Sequence, residues 1–234
     1  MIRVVLVAIF FFTTLYSQID ISNRLSARYG DSSNEYNYSE IYLDTKIFLQ
    51  KESYRIESLF TLEASNPPEI GLDINGLDKY LLGLYNDKFS FEIGDIHQTW
   101  GRGLLLNQLN YQNLDFSTGS RGLGMQFDND SIILNLIIGD VSSRSSTTVL
   151  GNYDPRVPNH FVDEFIYGGD LSVDILKSTI GAAALIVDEK ERSLSHVLTN
   201  FRLDKSYESG EFFMSIVSKT SKKDSGMTEI FYEE

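Results

Sequence analysis

The sequence predicts an all-β protein, specifically an antiparallel up-and-down β-barrel that crosses a membrane with its strands. Three observations lead to this prediction. Apolar and polar residues alternate along much of the chain, the connections between the alternating segments are short and long in turn, and no window combines a helical period with capping residues. Together they favour strands that run up and down and pair with their neighbours in the chain.

The N-terminal stretch has the pattern of a secretory signal peptide. Arg3 supplies a positive charge, Val4 to Phe12 form an uninterrupted apolar run, and Ser17 precedes Gln18. The run is too short for a membrane helix, which needs about 20 residues, and it is typical of a leader removed after export. We therefore expect residues 1–17 to be the signal peptide and residues 18–234 to be the barrel domain.

Composition limits both the fold and the partners. The chain has 0 Cys, which excludes a disulfide-stapled secreted domain and any cysteine-based metal site. Its formal net charge of -13 would repel phosphate backbones, so no nucleic-acid partner is expected. An exported protein without disulfides needs another source of stability, and closing a sheet provides one because every backbone amide and carbonyl is then paired.

Alternation with a period of two is the strand signal. Ile56 and Phe60 fall on one face of their segment, and Glu57 and Thr61 fall on the other; residues 165–175 alternate in the same way. By this criterion about 11 complete strands and the start of a twelfth are expected. They lie near residues 20–29, 39–49, 54–64, 78–86, 89–97, 119–128, 131–140, 164–175, 179–188, 194–204 and 210–219, with the last beginning at Met227.

The lengths of the connections favour a barrel over a sandwich. Short connections at 50–53, 87–88, 129–130 and 176–178 alternate with long ones at 30–38, 65–77, 98–118 and 141–163. Outer-membrane barrels have tight turns at one end and long loops at the other, whereas a sandwich has no reason for this parity. The alternative is a secreted or surface β-sandwich that binds glycans or proteins.

One segment also carries a resemblance to a known family. The residues Gly94 to Leu106 read GDIHQTWGRGLLL, and Ser120 to Leu123 read SRGL. This resembles the uncharacterised porin-like outer-membrane β-barrels whose N-terminal half carries a GD…(F/W)GRGL-L segment followed by an (S/L)RG(L/V) strand. The resemblance covers about residues 1–175, and it implies an outer-membrane location and a barrel fold but no reaction.

The C-terminal residues indicate an unfinished strand. Met227 to Glu234 begin a further alternating segment, with Phe231 and Tyr232 inside it. Members of the resembling family are longer, and bacterial barrels have even numbers of strands. We expect a barrel that is truncated at its C-terminus, and a complete 12-stranded barrel with a short last strand is the alternative.

The segment from Phe91 to Phe127 holds the candidate functional residues. A bulge at Gly94 is expected to turn Asp95 and His97 from the lipid side to the inside, since charge facing lipid is unfavourable. The polar connection after the strand would then fold into the lumen as a constriction, with its arginines paired to luminal acids such as Asp95 or Glu92. The candidate luminal residues are Glu92, Asp95, His97, Gln98, Trp100, Arg102 and Arg121.

No pattern in the sequence predicts an enzyme, a metal site or a cofactor. Ser117, His97 and Asp95 or Asp115 are the right residue types for nucleophilic catalysis, but no G-x-S-x-G motif is present. The three histidines are too far apart for a metal motif. The expected function is that of a porin-like channel or structural component in the cell outer membrane. Its expected partners are lipid, small polar solutes and the assembly machinery for outer-membrane barrels.

Overall fold

The computed structural model describes residues 18–32, 36–66, 76–111, 116–145, 160–176, 178–190, 194–207, 210–223 and 228–231. The predicted signal peptide lies outside these residues. The chain divides into two units, residues 1–87 and residues 88–234. Within the described residues, no helix is long and apolar enough to cross a membrane.

The first unit is a meander of four strands. They are β1 (Gln18–Ser32), β2 (Tyr36–Lys51), β3 (Tyr54–Asn66) and β4 (Gly76–Tyr85). Each strand pairs antiparallel with the next along the chain. The register of β3 against β4 shifts between Thr61 and Leu62, which identifies an irregularity of the β-bulge type at that point.

The second unit is a longer meander interrupted by one folded connection. Its strands are β5 (Phe89–Ile96), β6 (Thr99–Trp100), β7 (Leu106–Asn107), β8 (Asn110–Tyr111), β9 (Phe116–Ser117), β10 (Ser120–Asn129), β11 (Ile132–Ser145), β12 (His160–Ile175), β13 (Ser178–Glu189), β14 (Leu194–Tyr207), β15 (Gly210–Lys223) and β16 (Thr228–Phe231). Strands β5 and β10 to β16 pair antiparallel in that order. The two-residue strands form the hairpins β6–β7 and β8–β9 inside the connection.

The predicted antiparallel up-and-down all-β class is confirmed, but closure into a barrel is not observed. In the part of the chain that the structure describes, β1 pairs only with β2 and β16 pairs only with β15. The sheet therefore keeps open edges. The short β16 pairs with four residues of β15, Lys219 to Lys222, so most of β15 has no described neighbour on that side.

The strands extend further than the sequence predicts. β2 and β12 each have 16 residues, longer than the expected tilted crossing of about 9–11. The expected long connection at residues 30–38 is correspondingly wrong, because β1 continues to Ser32 and β2 begins at Tyr36. Polar residues at strand ends, such as Ser39 opposite Tyr29, continue the pairing beyond the point where the apolar alternation fades.

Each sheet has one apolar and one polar side, and the pairing registers set which residues share a side. In the first unit Leu25, Leu43 and Leu62 are directly paired across three strands, and so are their polar neighbours Arg24, Asp44 and Thr61. The predicted division of β3 into Ile56 and Phe60 against Glu57 and Thr61 agrees with this register. In the second unit we call the side with Asp170, Asn200 and Arg202 the covered face and the side with Leu171, Phe201 and Ile216 the apolar face.

Glycines line the covered face where the strands approach most closely. Gly94, Gly122 and Gly139 pair in one row across β5, β10 and β11. A Cβ atom on Gly122 would lie 2.0 Å from the carbonyl oxygen of Ile138, which no side chain could tolerate. Glycine is therefore required in this row because the backbones leave no room for a larger residue.

Candidate functional site on the covered face

The connection between β5 and β10, residues 97–119, folds over the covered face. The amide of Gln108 donates to the carbonyl of Gln98 at 3.0 Å, and the amide of Gln98 donates to the side-chain oxygen of Gln108 at 3.0 Å. The amide of Leu109 donates to the Thr118 hydroxyl at 2.8 Å, and that of Thr118 returns to the Leu109 carbonyl at 2.9 Å. These reciprocal bonds give this segment, which we call the inward connection, an ordered backbone.

The inward connection contains a left-handed turn near its start. Gly101, Arg102 and Gly103 have φ angles of 58°, 57° and 83°. The left-handed conformation is open to glycine but costs an L-residue about 1–2 kcal/mol, so Arg102 must be held there by contacts elsewhere. A Cβ atom on Gly101 would lie 3.0 Å from the Asn200 side-chain oxygen, which indicates that this turn packs directly against β14.

Arg102 attaches the turn to two distant strands. Its Nη2 donates to Asp204 Oδ1 at 2.9 Å and lies 3.7 Å from Glu211 Oε2, and its guanidinium sits 4.2 Å from the centre of the Phe213 ring. Half of the Arg102 side chain is exposed, so solvent screens the ion pairs and reduces them to about 0.2–1 kcal/mol. The cation–π contact adds about 0.5–1 kcal/mol.

Trp100, directly before this turn, anchors the inward connection to the sheet. It is 1% exposed, and Ile96, Leu105 and Leu106 are buried as well. Its indole Nε1 donates to Gln98 Oε1 at 2.9 Å, and the side-chain Nε2 of Gln98 donates to the Leu136 carbonyl at 3.3 Å. The buried indole is therefore satisfied, and a small apolar core fixes the connection against the sheet.

A buried ion pair connects three strands beside this core. Arg202 of β14 donates from Nη1 to Asp170 Oδ1 at 2.6 Å and from Nη2 to Asp170 Oδ2 at 3.0 Å, and it also donates to the Ser172 hydroxyl. Its side chain reaches β12 by passing over Gly181 of the intervening β13, where a Cβ atom would lie 2.5 Å from Arg202 Nε. Asn135 adds a longer bond to Asp170 at 3.4 Å.

A second polar cluster lies nearer the same strand ends as the inward connection. His196 of β14 is buried, with Nδ1 2.7 Å from the Ser221 hydroxyl of β15 and Nε2 2.9 Å from Glu189 Oε1 of β13. At the end of β13, outside the strand, Lys190 bonds to Asp140 at 2.7 Å and to Asp163 at 2.8 Å, and these bonds raise the pKa of Lys190. Polar groups of the covered face thus extend from Asp170 to His196, whereas Asp140 and Asp163 are in the phase of the apolar face at this end of the sheet.

Of the predicted luminal residues, four are on the covered face. Gln98, Trp100 and Arg102 belong to the inward connection. Glu92 lies beside Gln98, because both side chains are close to Gly124. A Cβ atom added there would lie 3.0 Å from Gln98 Nε2 and 3.6 Å from a Glu92 carboxylate oxygen. Residues 112–115 of the connection lie outside the described residues. Arg102 pairs with acids of the covered face as expected, but these are Asp204 and Glu211 and not the named examples Asp95 and Glu92.

Asp95 and Arg121 pair with each other as expected, but they do so on the apolar side. Their side chains form two bonds of 2.9 and 3.1 Å. The predicted bulge at Gly94 is absent: β5 pairs with β10 without a register shift, so Asp95 keeps the phase of Phe91 and Ile93. Gly94 has a φ angle of 118° within this unbroken pairing. His97, just beyond β5, packs against Gly119.

Asp170–Arg202 and Glu189–His196–Ser221 are the groups that sequence reasoning missed. Asp170, His196 and Arg202 lie in segments predicted as strands, and Glu189 and Ser221 lie just beyond two of them. Their contacts depend on which residues face each other across strands, and a single sequence does not give that register. No protein-family model matches the chain, and neither a curated protein nor a solved structure is similar to it. The resemblance to the porin-like family therefore stays a prediction.

Proposed function

We propose that this chain is an outer-membrane β-barrel protein that acts as a porin-like channel or as a structural component of the cell outer membrane. The observation that carries the proposal is an inverted distribution of polarity. On the covered face, polar residues such as Asp170 and Asn200 are each 3% exposed, whereas on the opposite face Phe201 is 49% and Ile216 is 61% exposed. A water-soluble β-sheet protein has the reverse arrangement, with apolar faces inside.

The apolar face of the second unit has a composition suited to lipid. Its exposed side chains include Ile93, Leu123, Ile138, Tyr167, Leu171, Val197, Phe201 and Ile216. Along β12 the apolar alternation runs from Tyr167 to Ile175, about 26 Å of strand. Outer-membrane barrels carry an outward apolar band about 25 Å tall, and at their strand tilt of about 35–45° this length of strand covers about 18–21 Å of that height, which is most of the band.

Charged residues bound this band at the end nearest the inward connection. The row just beyond Ile93, Leu123 and Ile138 holds Asp95, Arg121 and Asp140. A charge costs about 2–4 kcal/mol at the bilayer midplane but little near the interface. In the proposed orientation this row marks the interface, and the Asp95–Arg121 pair lies at the level of the lipid headgroups.

The covered face supports a channel for small polar solutes. It carries the ion pair of Asp170 and Arg202, and the inward connection with Arg102 lies over it, so a solute would meet fixed charges and hydrogen-bonding groups. The secreted or surface β-sandwich is less well supported, because it would bury Leu171, Phe201 and Ile216 against another layer, and these side chains are exposed.

Single-cysteine labelling tests the membrane part of the proposal, since the chain has 0 Cys. Phe201→Cys on the apolar face and Ser215→Cys on the covered face would each carry an environment-sensitive fluorophore in protein refolded into liposomes. We expect a lipid-phase nitroxide to quench the label at position 201 and aqueous iodide to quench the label at position 215. Iodide quenching of both labels, or a chain that stays monodisperse in buffer without detergent, would refute membrane insertion.

Planar-bilayer conductance tests the channel part separately. A channel is expected to give discrete steps whose ion selectivity changes in Arg102→Ala, because that substitution removes a charge from the inward connection. Insertion without conductance would leave a structural component as the function. The predicted assembly machinery would be tested by depleting it in cells and measuring the amount of folded protein in the outer membrane.

A further inference from the structure

Three side chains on the covered face have the geometry of an activated serine. His196 and Ser221 face each other across β14 and β15, and Glu189 lies on the adjoining β13. The Ser221 hydroxyl is 2.7 Å from His196 Nδ1, and a Glu189 carboxylate oxygen is 2.9 Å from Nε2. A carboxylate only accepts hydrogen bonds, so Nε2 carries the proton and Nδ1 keeps the lone pair that accepts the serine O–H.

This is the arrangement that nucleophilic catalysis requires: a hydroxyl, a base within hydrogen-bond reach, and a third group that orients the base. We propose that Ser221 is the nucleophile of an esterase site for small, water-soluble carboxylic esters. His196 is its general base, and Glu189 is a positioning residue. The proposal goes beyond a passive channel, and it departs from the expectation, drawn from the sequence, of no enzymatic activity.

The proposed reaction has two balanced halves. The Ser221 oxygen attacks the ester carbonyl while its proton moves to His196 Nδ1, and the imidazolium then gives that proton to the departing alcohol as the carbon–oxygen bond breaks. Water next attacks the acyl-serine, His196 takes a proton from the water, and the proton returns to the Ser221 oxygen as the carboxylic acid leaves. Glu189 stays ionised and stabilises the imidazolium in both halves.

The surroundings define the substrate class. Ser221 and His196 are on the polar covered face, opposite Phe201 and Ile216, and are 9% and 7% exposed, so the proposed substrate is a small water-soluble ester and not a membrane lipid. Lys219 lies two residues from Ser221 in the same phase of β15, and the proposal assigns it to stabilise the oxyanion. Glu164 is also near this cluster, since it interacts with Glu189, His196 and Lys219.

Labelling with a fluorophosphonate, followed by mass spectrometry of the modified peptide, tests the proposal on the full chain folded in detergent. We expect covalent labelling of Ser221, no labelling of that peptide in Ser221→Ala, and labelling slowed about 100-fold in His196→Gln. Hydrolysis of p-nitrophenyl acetate should fall in parallel. Glu189→Gln should slow labelling and shift its pH profile, and Glu189→Asp should restore part of the rate. No labelling of Ser221, or labelling unchanged in His196→Gln, would overturn the proposal.

Two single-cysteine variants keep the test decisive if a histidine variant folds poorly. Ser221→Cys places a thiol beside His196, and Ser215→Cys places one on the same face of β15, where the native hydroxyl contacts Asn200 instead. A neighbouring histidine lowers the pKa of a thiol, so we expect position 221 to be alkylated by iodoacetamide at least about 10-fold faster at pH 7. Equal rates at the two positions would overturn the base role of His196, whatever the conductance measurements give.

Discussion

Removing Arg202 should destabilise the second unit more than any exposed substitution. Arg202 makes two hydrogen bonds to Asp170 and one to Ser172, and the side chains of Arg202 and Asp170 are 9% and 4% exposed. Arg202→Leu leaves the Asp170 carboxylate buried, and among the described residues Asn135 is then its remaining side-chain donor, 3.4 Å away. Breaking a buried pair in this way costs about 3–5 kcal/mol because the remaining charge is uncompensated.

The measurement is equilibrium urea unfolding of the protein folded in detergent, followed by the fluorescence of the single Trp100. We expect Arg202→Leu to lower the free energy of unfolding by about 3–5 kcal/mol. The double variant Asp170→Asn/Arg202→Leu should recover about 2 kcal/mol of that loss, since it removes the buried charge as well. Arg24→Leu, at an exposed arginine of the first unit, is the control and should change the free energy by no more than about 0.5 kcal/mol.

Two results would refute the reasoning. A loss below about 1 kcal/mol in Arg202→Leu would mean that the pair is screened like a surface ion pair. Equal losses in the single and the double variant would mean that the two side chains are not energetically coupled, so the damage would come from lost packing of the arginine stem.

Three further predictions use the same unfolding assay. Gly181→Ala should cost about 1–3 kcal/mol because its Cβ atom would collide with the Arg202 side chain, whereas Gly210→Ala, with open space around it, should cost less than about 1 kcal/mol; similar losses would refute the crossing over β13. Leu176→Gly should raise the free energy of unfolding by about 1 kcal/mol, because Leu176 has a φ angle of 49° and is 92% exposed; a loss would refute that backbone strain. Arg102→Ala should cost about 1 kcal/mol and make Trp100 more accessible to acrylamide, and unchanged quenching would show that the turn stays in place without its ion pairs.

The periodicity of the sequence was sufficient for the strands and their sides. The segments around Ile56 and Leu171 alternate with period two, and any antiparallel pairing puts their apolar residues on one side. The Asp95–Arg121 pair was also predictable from the sequence, since the two residues lie in strands that are joined by a single connection. The predicted side of this pair was wrong because we expected a bulge at Gly94. A glycine at positive φ within an unbroken register has the same sequence as a glycine in a bulge, so the sequence does not distinguish the two.

The contacts that build the candidate sites were beyond a single sequence. Arg102 and Asp204 are 102 residues apart in the chain, and Arg202 reaches Asp170 only because a glycine stands between them on β13. Each contact depends on two or more registers being correct at once, and a shift of one residue in any of them would turn the partner to the other side. The sequence also predicted strands that are too short. Their backbones continue to pair beyond the alternating region, where the residues are polar and give no alternation signal.

The row of Gly94, Gly122 and Gly139 leaves one level of the covered face of the second unit without side chains. Three adjacent strands have no side chains to compress there, while their ladder hydrogen bonds remain intact. A change in curvature along this line would alter the spacing between the inward connection, attached beside it, and the Glu189–His196–Ser221 cluster further round the sheet. Such a change would require no strand to leave its neighbour.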